Sequence, residues 1–326
     1  YFFVEDGLRF EKAVLDGDIN KVSSLLLPLI DRLRNYNKVY VNPDGAFNLL
    51  NFYSLKDEND EYLIKNKTFV YINTISGITE PVDRPQNNNF ATFFGNPLFN
   101  TKSTFNTSIQ RITVFPFDAV SNFKELPYSK IEIETASETL KNKGWRTKKF
   151  IGVQCNEEQL KNEMAPGILH IATHGFYISE SDTAKGSFAF KSNPYLKSGL
   201  ILGTVSNNGK NLNDNVLTAY EVMDLNLKTT SLVVLSACES AKGELKPGQG
   251  VYGLQRAFKI AGAKNVLVSV KNVDDKATQI LMQFFYENVA KGETYTAALR
   301  NAQLQMLKHP LFNEPKYWDG FILIGQ

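Results

Sequence analysis

LVVLSACESAKGELKPGQG, running from Leu232 to Gly250, governs how the rest of the chain is read. It opens as a continuous apolar run, the pattern of a strand covered on both faces in a parallel sheet. The run stops at Ser236-Ala237-Cys238. Small, polar, Gly- and Pro-punctuated residues follow, and these predict a mobile loop. Cys238 therefore falls where a buried strand emerges. In open α/β sheets, ligands and chemistry gather at the carboxyl ends of strands. A second run, ILHIATHGFY at Ile168–Tyr177, has the same form and ends at His174-Gly175. The two strand ends are expected to face each other and to pair a thiol with an imidazole.

Outward from these runs, helical and strand patterns alternate. Helices are expected over 130–143, 156–163, 250–261, 275–290 and 296–307, with a helical turn over 218–223. Strands are expected over 149–153, 168–173, 232–235, 265–270 and 321–324, with a strand piece at 199–202. Strands separated by helices imply βαβ units and a mostly parallel sheet. Upstream, residues 16–34 have helical spacing, and Pro28 should kink or split that helix. Short strands are expected over 38–41, 68–72 and 90–94, with a loop over 79–89, and residues 96–112 are polar and poorly patterned. The change of rhythm divides the chain into 1–123 and 124–326.

The bulk numbers restrict the classes of function. The chain has 326 residues, 43% hydrophobic and 21% charged, which suits a globular protein of one large or two ordinary domains. A net charge of +2 with scattered Lys and Arg gives no reason to expect nucleic acid or an anionic membrane as partner. No apolar run approaches the ~18 residues of a membrane span, and no signal peptide opens the chain. Two cysteines, Cys155 and Cys238, make no disulfide framework, so a reducing, cytoplasmic setting is expected. The first residue is Tyr1, which suggests a piece of a longer protein.

A thiol is a strong nucleophile only as thiolate, so Cys238 needs a base. Of His170, His174 and His309, the second stands last before a glycine and is best placed to lean over the sheet edge. His170 lies inside an apolar run and reads as a core histidine; His309, before Pro310, reads as a loop residue. Gly175 lets the backbone turn sharply. Its N–H, with that of Cys238, suits an oxyanion hole.

These blocks resemble a CHAT domain, of the cysteine peptidase clan that includes caspases, separases and gingipains. The resemblance is carried by ILHIATHG at Ile168–Gly175, NVLTAYEVMDLNLKTTSLVVLSACES at Asn215–Ser240, GVYGLQRAFKIAGAKNVLVSVKNVDDKAT at Gly250–Thr278 and HPLFNEPKYWDGFILIG at His309–Gly325, with KVYVNPDGAFNLLNFYSL upstream at Lys38–Leu55. It implies a caspase-like α/β fold in two lobes: an N-terminal pseudo-caspase lobe without catalytic residues and a C-terminal catalytic lobe. It also implies a cysteine endopeptidase with a His174/Cys238 dyad, a protein or peptide substrate, and no metal or organic cofactor. A fused or bound sensor or repeat partner would regulate it. In the clan, the segment after strand 265–270 pairs with the substrate backbone and walls a specificity pocket; here that segment holds Ser269, Val270, Lys271, Asp274 and Asp275. Relatives commonly carry Trp where this chain has Lys271, so the wall is altered. Asp274 or Asp275 could select a basic side chain, or could simply cap the helix that follows.

Two rival readings stand beside this one. Gly248-Gln249-Gly250-Val251-Tyr252-Gly253 matches the dinucleotide-binding G-x-G-x-x-G, with Asp274 near the expected offset. However, it lies far from the preceding strand. The other rival is a catalytically silent caspase-like module that binds partners.

Overall fold

In the computed structural model the two apolar runs become neighbouring strands at the centre of one sheet. The structure describes residues 4–72, 88–99, 123–178, 192–203, 215–237, 243–246 and 250–325. Numbered along the chain, the strands are β1 (Lys38–Val41), β2 (Thr68–Ile72), β3 (Phe90–Pro97), β4 (Arg146–Gly152), β5 (Ile168–Ala172), β6 (His174–Tyr177), β7 (Ser198–Ile201), β8 (Val216–Thr218), β9 (Leu232–Ser236), β10 (Gly243–Lys246), β11 (Gly250–Gly253), β12 (Val266–Ser269) and β13 (Phe321–Gly325). The helices are α1 (Val4–Leu15), α2 (Ile19–Arg32), α3 (Pro127–Lys141), α4 (Glu157–Lys161), α5 (Ala219–Val222), α6 (Leu254–Ile260), α7 (Asp275–Ala290) and α8 (Tyr295–Leu307).

Eight strands form the main sheet in the order β1-β2-β13-β12-β9-β5-β3-β4. All neighbours are parallel except β12 and β13. The last strand thus turns back, and β1 and β2 extend the sheet alongside it. Both sides of the 123/124 division contribute strands to this sheet. Every residue of β5, β9 and β12 is buried. Because alternate residues face opposite ways, burial of all of them means that both faces are covered.

Alternation along β5 sends His170 toward the layer containing α3 and α7. It is fully buried there, with Nδ1 2.9 Å from the Tyr286 hydroxyl and Nε2 2.9 Å from Glu132 Oε1. The expected core histidine is therefore present, and it has two buried polar partners. His309 lies in the loop after α8, where its Nδ1 accepts the Leu311 N–H.

The N-terminal helices are tied to this sheet by buried cations. Lys67, directly before β2, donates from Nζ to the Leu33, Arg34 and Tyr36 carbonyls just past α2. These carbonyls lie in the turn directly after the helix, where a cation suits the negative end of the helix dipole. Arg300 of α8 donates in turn to the Lys67, Ile64 and Lys65 carbonyls.

Three local expectations need correction. First, α2 runs unbroken through Pro28, starting from an Asp18 cap that accepts the Lys21 N–H. Pro28 and Ser24 are both exposed, so water can hydrate the carbonyl that loses its partner. Second, α1 has no counterpart in the sequence reading, because it buries little beyond Phe10 and Ala13 and its apolar stripe is thin. Third, the stretch expected as loop and then helix contains a hairpin. β10 and β11 pair antiparallel from Gly243↔Gly253 to Lys246↔Gly250, and the helix begins only at Leu254 with Gly253 as its cap residue. Gly250 and Gly253 thus bound a strand. A dinucleotide fingerprint instead places its glycines in the turn that follows a strand of the parallel sheet, whereas here Gly250 and Gly253 belong to a strand of a separate antiparallel hairpin.

A separate three-stranded sheet, β6-β7-β8, carries His174. Its middle strand requires glycine at 199. A Cβ there would stand 2.6 Å from the Leu217 carbonyl oxygen and 2.6 Å from the Phe176 ring. Replacing Gly199 by alanine is expected to push β7 away from both neighbours, destabilise the protein by about 1–3 kcal/mol and displace His174. Chemical denaturation together with the His174 imidazole NMR signals would check this. Unchanged signals and an unchanged midpoint would contradict it.

Candidate active site

β5 and β9 run in register, with Ala172 opposite Ser236. The Thr173 N–H donates to the Ser236 carbonyl at 3.3 Å, and the Thr173 hydroxyl donates to the Ile201 carbonyl. These bonds release the chain from the main sheet one residue past β5. They then hand it to β6, where His174 pairs with Ile201 and Gly175 with Leu200. His174 thus stands at the carboxyl edge of β5, and Ala237 leaves β9 at the same edge. Cys238, the next residue, lies outside the described residues.

The His174 ring is half-buried, with Phe123 at 5.0 Å and Phe99 at 5.3 Å between ring centroids. Nε2 lies 2.7 Å from the Lys124 carbonyl oxygen. A carbonyl only accepts, so Nε2 carries the proton of this hydrogen bond and the neutral ring keeps its lone pair on Nδ1. Burial pushes the His174 pKa below its usual value, partly opposed by the bond to Lys124. The imidazole is therefore neutral at pH 7 and able to take a proton.

The sign of the linkage follows. The folded state releases the His174 proton more readily than the unfolded chain does. The associated stability is present above pH 6.5 and is lost as pH falls through the lowered folded pKa. Removing the aromatic cover by Phe123→Ala is expected to move the His174 titration up toward 6.5, as read by NMR. An unmoved midpoint would show that the phenyl ring has no part in the shift.

The segment after β12 reaches this edge from the other side. The Ser269 hydroxyl donates to the Ala237 carbonyl, next to position 238. Val270 N–H donates to the Gly320 carbonyl at 2.8 Å. The Lys271 ammonium pairs with the Asp319 carboxylate. Asp319 is 5% exposed. Burial raises its pKa, and the charge and hydrogen bond of Lys271 pull it back. Gly320 permits the close approach, since a Cβ there would meet Val273 Cγ1 at 2.5 Å.

The two aspartates further on face helix ends. Asp274 caps α7, accepting the Ala277 N–H at 2.8 Å. Asp275 accepts the Tyr128 N–H at the start of α3, and burial raises its pKa.

Four contributors to this edge escaped the sequence reading. The Lys124 carbonyl, Phe99 and Phe123 meet His174 from 50 or more positions away, and no local pattern marks them. Asp319 did leave a signal: a carboxylate two residues before a strand whose first four residues are buried demands a partner.

The fold is a mostly parallel α/β sheet flanked by helices, with His174 just past the end of one strand beside the end of the next. A CHAT domain model matches residues 19–326, and the chain belongs to the CHAT domain family. Among solved structures it is similar to the Arg-specific cysteine proteinase gingipain R, with a TM-score of 0.56, 9% identity and coverage of 95% of this chain and 69% of that one. A complex of the pro- and mature domains of RgpB from Porphyromonas gingivalis gives a TM-score of 0.58, again at 9% identity, covering 93% of this chain and 68% of that one. At such identity the likeness concerns the fold. Over 114 residues, 35% of this chain, it is 36% identical to tetratricopeptide repeat protein 28 of Mus musculus and 37% identical to that of Homo sapiens. The matched part is 5% and 4% of those relatives' lengths. Among the described residues, no helix is long and apolar enough to cross a membrane.

Proposed function

We propose that this chain is the catalytic part of a cysteine endopeptidase acting through a His174/Cys238 dyad. The observation that carries the reading is His174 itself. It is neutral, with Nε2–H committed to the Lys124 carbonyl and Nδ1 left to accept, and it stands at the strand edge where Ala237 leads into Cys238.

In the proposed reaction Nδ1 takes the thiol proton, and the thiolate sulfur attacks the peptide carbonyl carbon. The backbone N–H groups of Gly175 and Cys238 serve as donors to the oxyanion. The tetrahedral species collapses to a thioester as the imidazolium gives its proton to the departing amine. Water then attacks the thioester, losing a proton to His174. The carboxylic acid leaves and the thiol is restored. Each step needs only groups of this chain, the peptide and water; no metal or organic cofactor enters.

Ser269, Val270 and Lys271 are the proposed partners of the substrate backbone. We assign Asp274 and Asp275 to the helix ends they cap, so side-chain selection falls to the space beside Lys271. Residues 1–123 act in this proposal as the N-terminal lobe without catalytic residues and 124–326 as the catalytic lobe. The tetratricopeptide-repeat character of the curated relatives supports a repeat partner as regulator, in a reducing cytoplasmic setting.

Cleavage of a peptide library by the wild-type chain and by Cys238→Ala tests the reading, with a thiol-reactive peptide electrophile as a second probe. Cleavage and labelling that disappear in the variant are expected. Neither signal from the wild type, alone or joined to its repeat partner, would leave a silent interaction module as the better account.

A further inference from the structure

A cavity of about 330 Å³ opens beside the segment that follows β12. Its apolar walls include Val14 and Val22 of the first two helices, Leu50 and Val270; Lys271 and Asp319 supply its charged edge. That volume is in the range of small-ligand sites. The position is fixed by two links already described. Ser269 bonds to the Ala237 carbonyl, one residue before Cys238, and Val270 bonds to Gly320. Val270 and Lys271, two residues of the segment proposed to hold the substrate, thus line the cavity.

The charged edge is rigid. Asn51 Nδ2 donates to the Asp319 and Phe321 carbonyls, each at 3.0 Å, and Gln303 Nε2 donates to the Trp318 and Phe321 carbonyls at 2.9 and 3.0 Å. Side chains from both ends of the chain therefore hold the backbone around Asp319. The carboxylate is buried, the Lys271 side chain remains 39% exposed, and both residues line the cavity. An acidic group at the edge of an apolar pocket would ordinarily select Arg or Lys by charge pairing. Here a cation of the protein already occupies it.

We propose that Lys271 is a built-in occupant of this acidic site, so that the pocket accepts a large uncharged apolar side chain and turns basic side chains away. The proposal rests on the endopeptidase reading for its biological meaning and names the substrate class of that same site. A basic side chain would have to displace Lys271 from a buried carboxylate or lie unpaired beside a second cation. An apolar side chain such as leucine, methionine or norleucine needs neither. It gains by removing apolar surface from water against Val14, Val22, Leu50 and Val270.

The test separates the pocket from the chemistry. Binding is measured in a Cys238→Ala background, by fluorescence anisotropy, with acetylated peptides that differ only by norleucine, arginine or glutamate at the residue before the scissile bond. The norleucine peptide is expected to bind about 10-fold or more tightly than the other two. Lys271→Met uncovers the carboxylate, and arginine is then expected to become the preferred residue by a similar factor. Lys271→Met combined with Asp319→Asn, a neutral pair that also guards against misfolding of the single variant, should restore the norleucine preference. The same rank order in all three proteins, a glutamate preference in the parent, or no peptide binding in any of them would overturn the proposal. Cleavage by the Cys238 protein is followed separately: a switch in binding with no cleavage would reject the peptidase reading and keep the pocket.

Discussion

Replacing His174 by alanine is expected to reduce peptide cleavage by about 10³-fold, within the span that a positioned acid–base group contributes, with little loss of fold stability. The fold tolerates the change because the ring is only half-buried and its bond is to a backbone carbonyl. Losing one such bond costs on the order of 1 kcal/mol. The chemistry does not tolerate it, because an unassisted thiol titrates near pH 8.5 and is mostly protonated at neutrality. Alkylation of Cys238 by a peptide electrophile, followed against pH, gives an independent readout. In the alanine variant alkylation at neutral pH should slow, because no base stands ready to take the thiol proton. Equal cleavage rates and superimposable alkylation profiles would sink the assignment of His174 as the base.

The second large effect lies in the core. His170→Leu is expected to destabilise the protein by about 3–5 kcal/mol, the usual cost of removing one member of a buried polar pair. The substitution leaves the Tyr286 hydroxyl without its hydrogen-bond partner and the Glu132 carboxyl without the polar group 2.9 Å from it, in a site where none of the three reaches solvent. Burial already holds the Tyr286 hydroxyl well above its ordinary pKa, so it cannot relieve the loss by ionising. Removing all three polar groups together, as Glu132→Leu, His170→Leu and Tyr286→Phe, should recover much of the loss, because no orphaned group remains. Urea denaturation of the single and triple variants decides the matter. A single-variant cost below about 1 kcal/mol would mean that the imidazole adds nothing to stability.

The two replacements separate two histidines four positions apart on one stretch of sequence. His170 and His174 share a face by strand alternation, so alternation alone does not separate them, and only the glycine after His174 marks it in the sequence as the one at the edge. The bonds from Thr173 to Ser236 and Ile201 separate them, turning the chain out of the main sheet between the two. His170 then stays in the α3/α7 layer, and His174 meets Lys124, Phe99 and Phe123. The glycine after His174 was a usable signal, since a chain leaving a sheet needs freedom to turn.

Continuous apolar runs bounded by polar, Gly-rich segments sufficed for the central strands, because a strand covered on both faces can carry little else. They placed β5, β9 and β12 to within a residue or two, and the helices between them implied parallel pairing. Short elements were less legible. β6 and β8 are held by pairing with β7, which lies elsewhere in the chain, and the β10–β11 hairpin is built from Gly, Glu, Lys and only a few apolar residues, so their own residues carry only a weak pattern.

By itself, then, the sequence determined the fold class, the family and the chemical types of residue that the central strands deliver to one edge. Those properties follow from local hydrophobic periodicity and from motifs a few residues long. Only the tertiary structure decided the electrostatic state of that edge: which nitrogen of His174 holds its proton, and that Lys271 covers Asp319. Both depend on partners about 50 residues apart in the chain, Lys124 with His174 and Lys271 with Asp319, where burial, which no local pattern records, sets the charge.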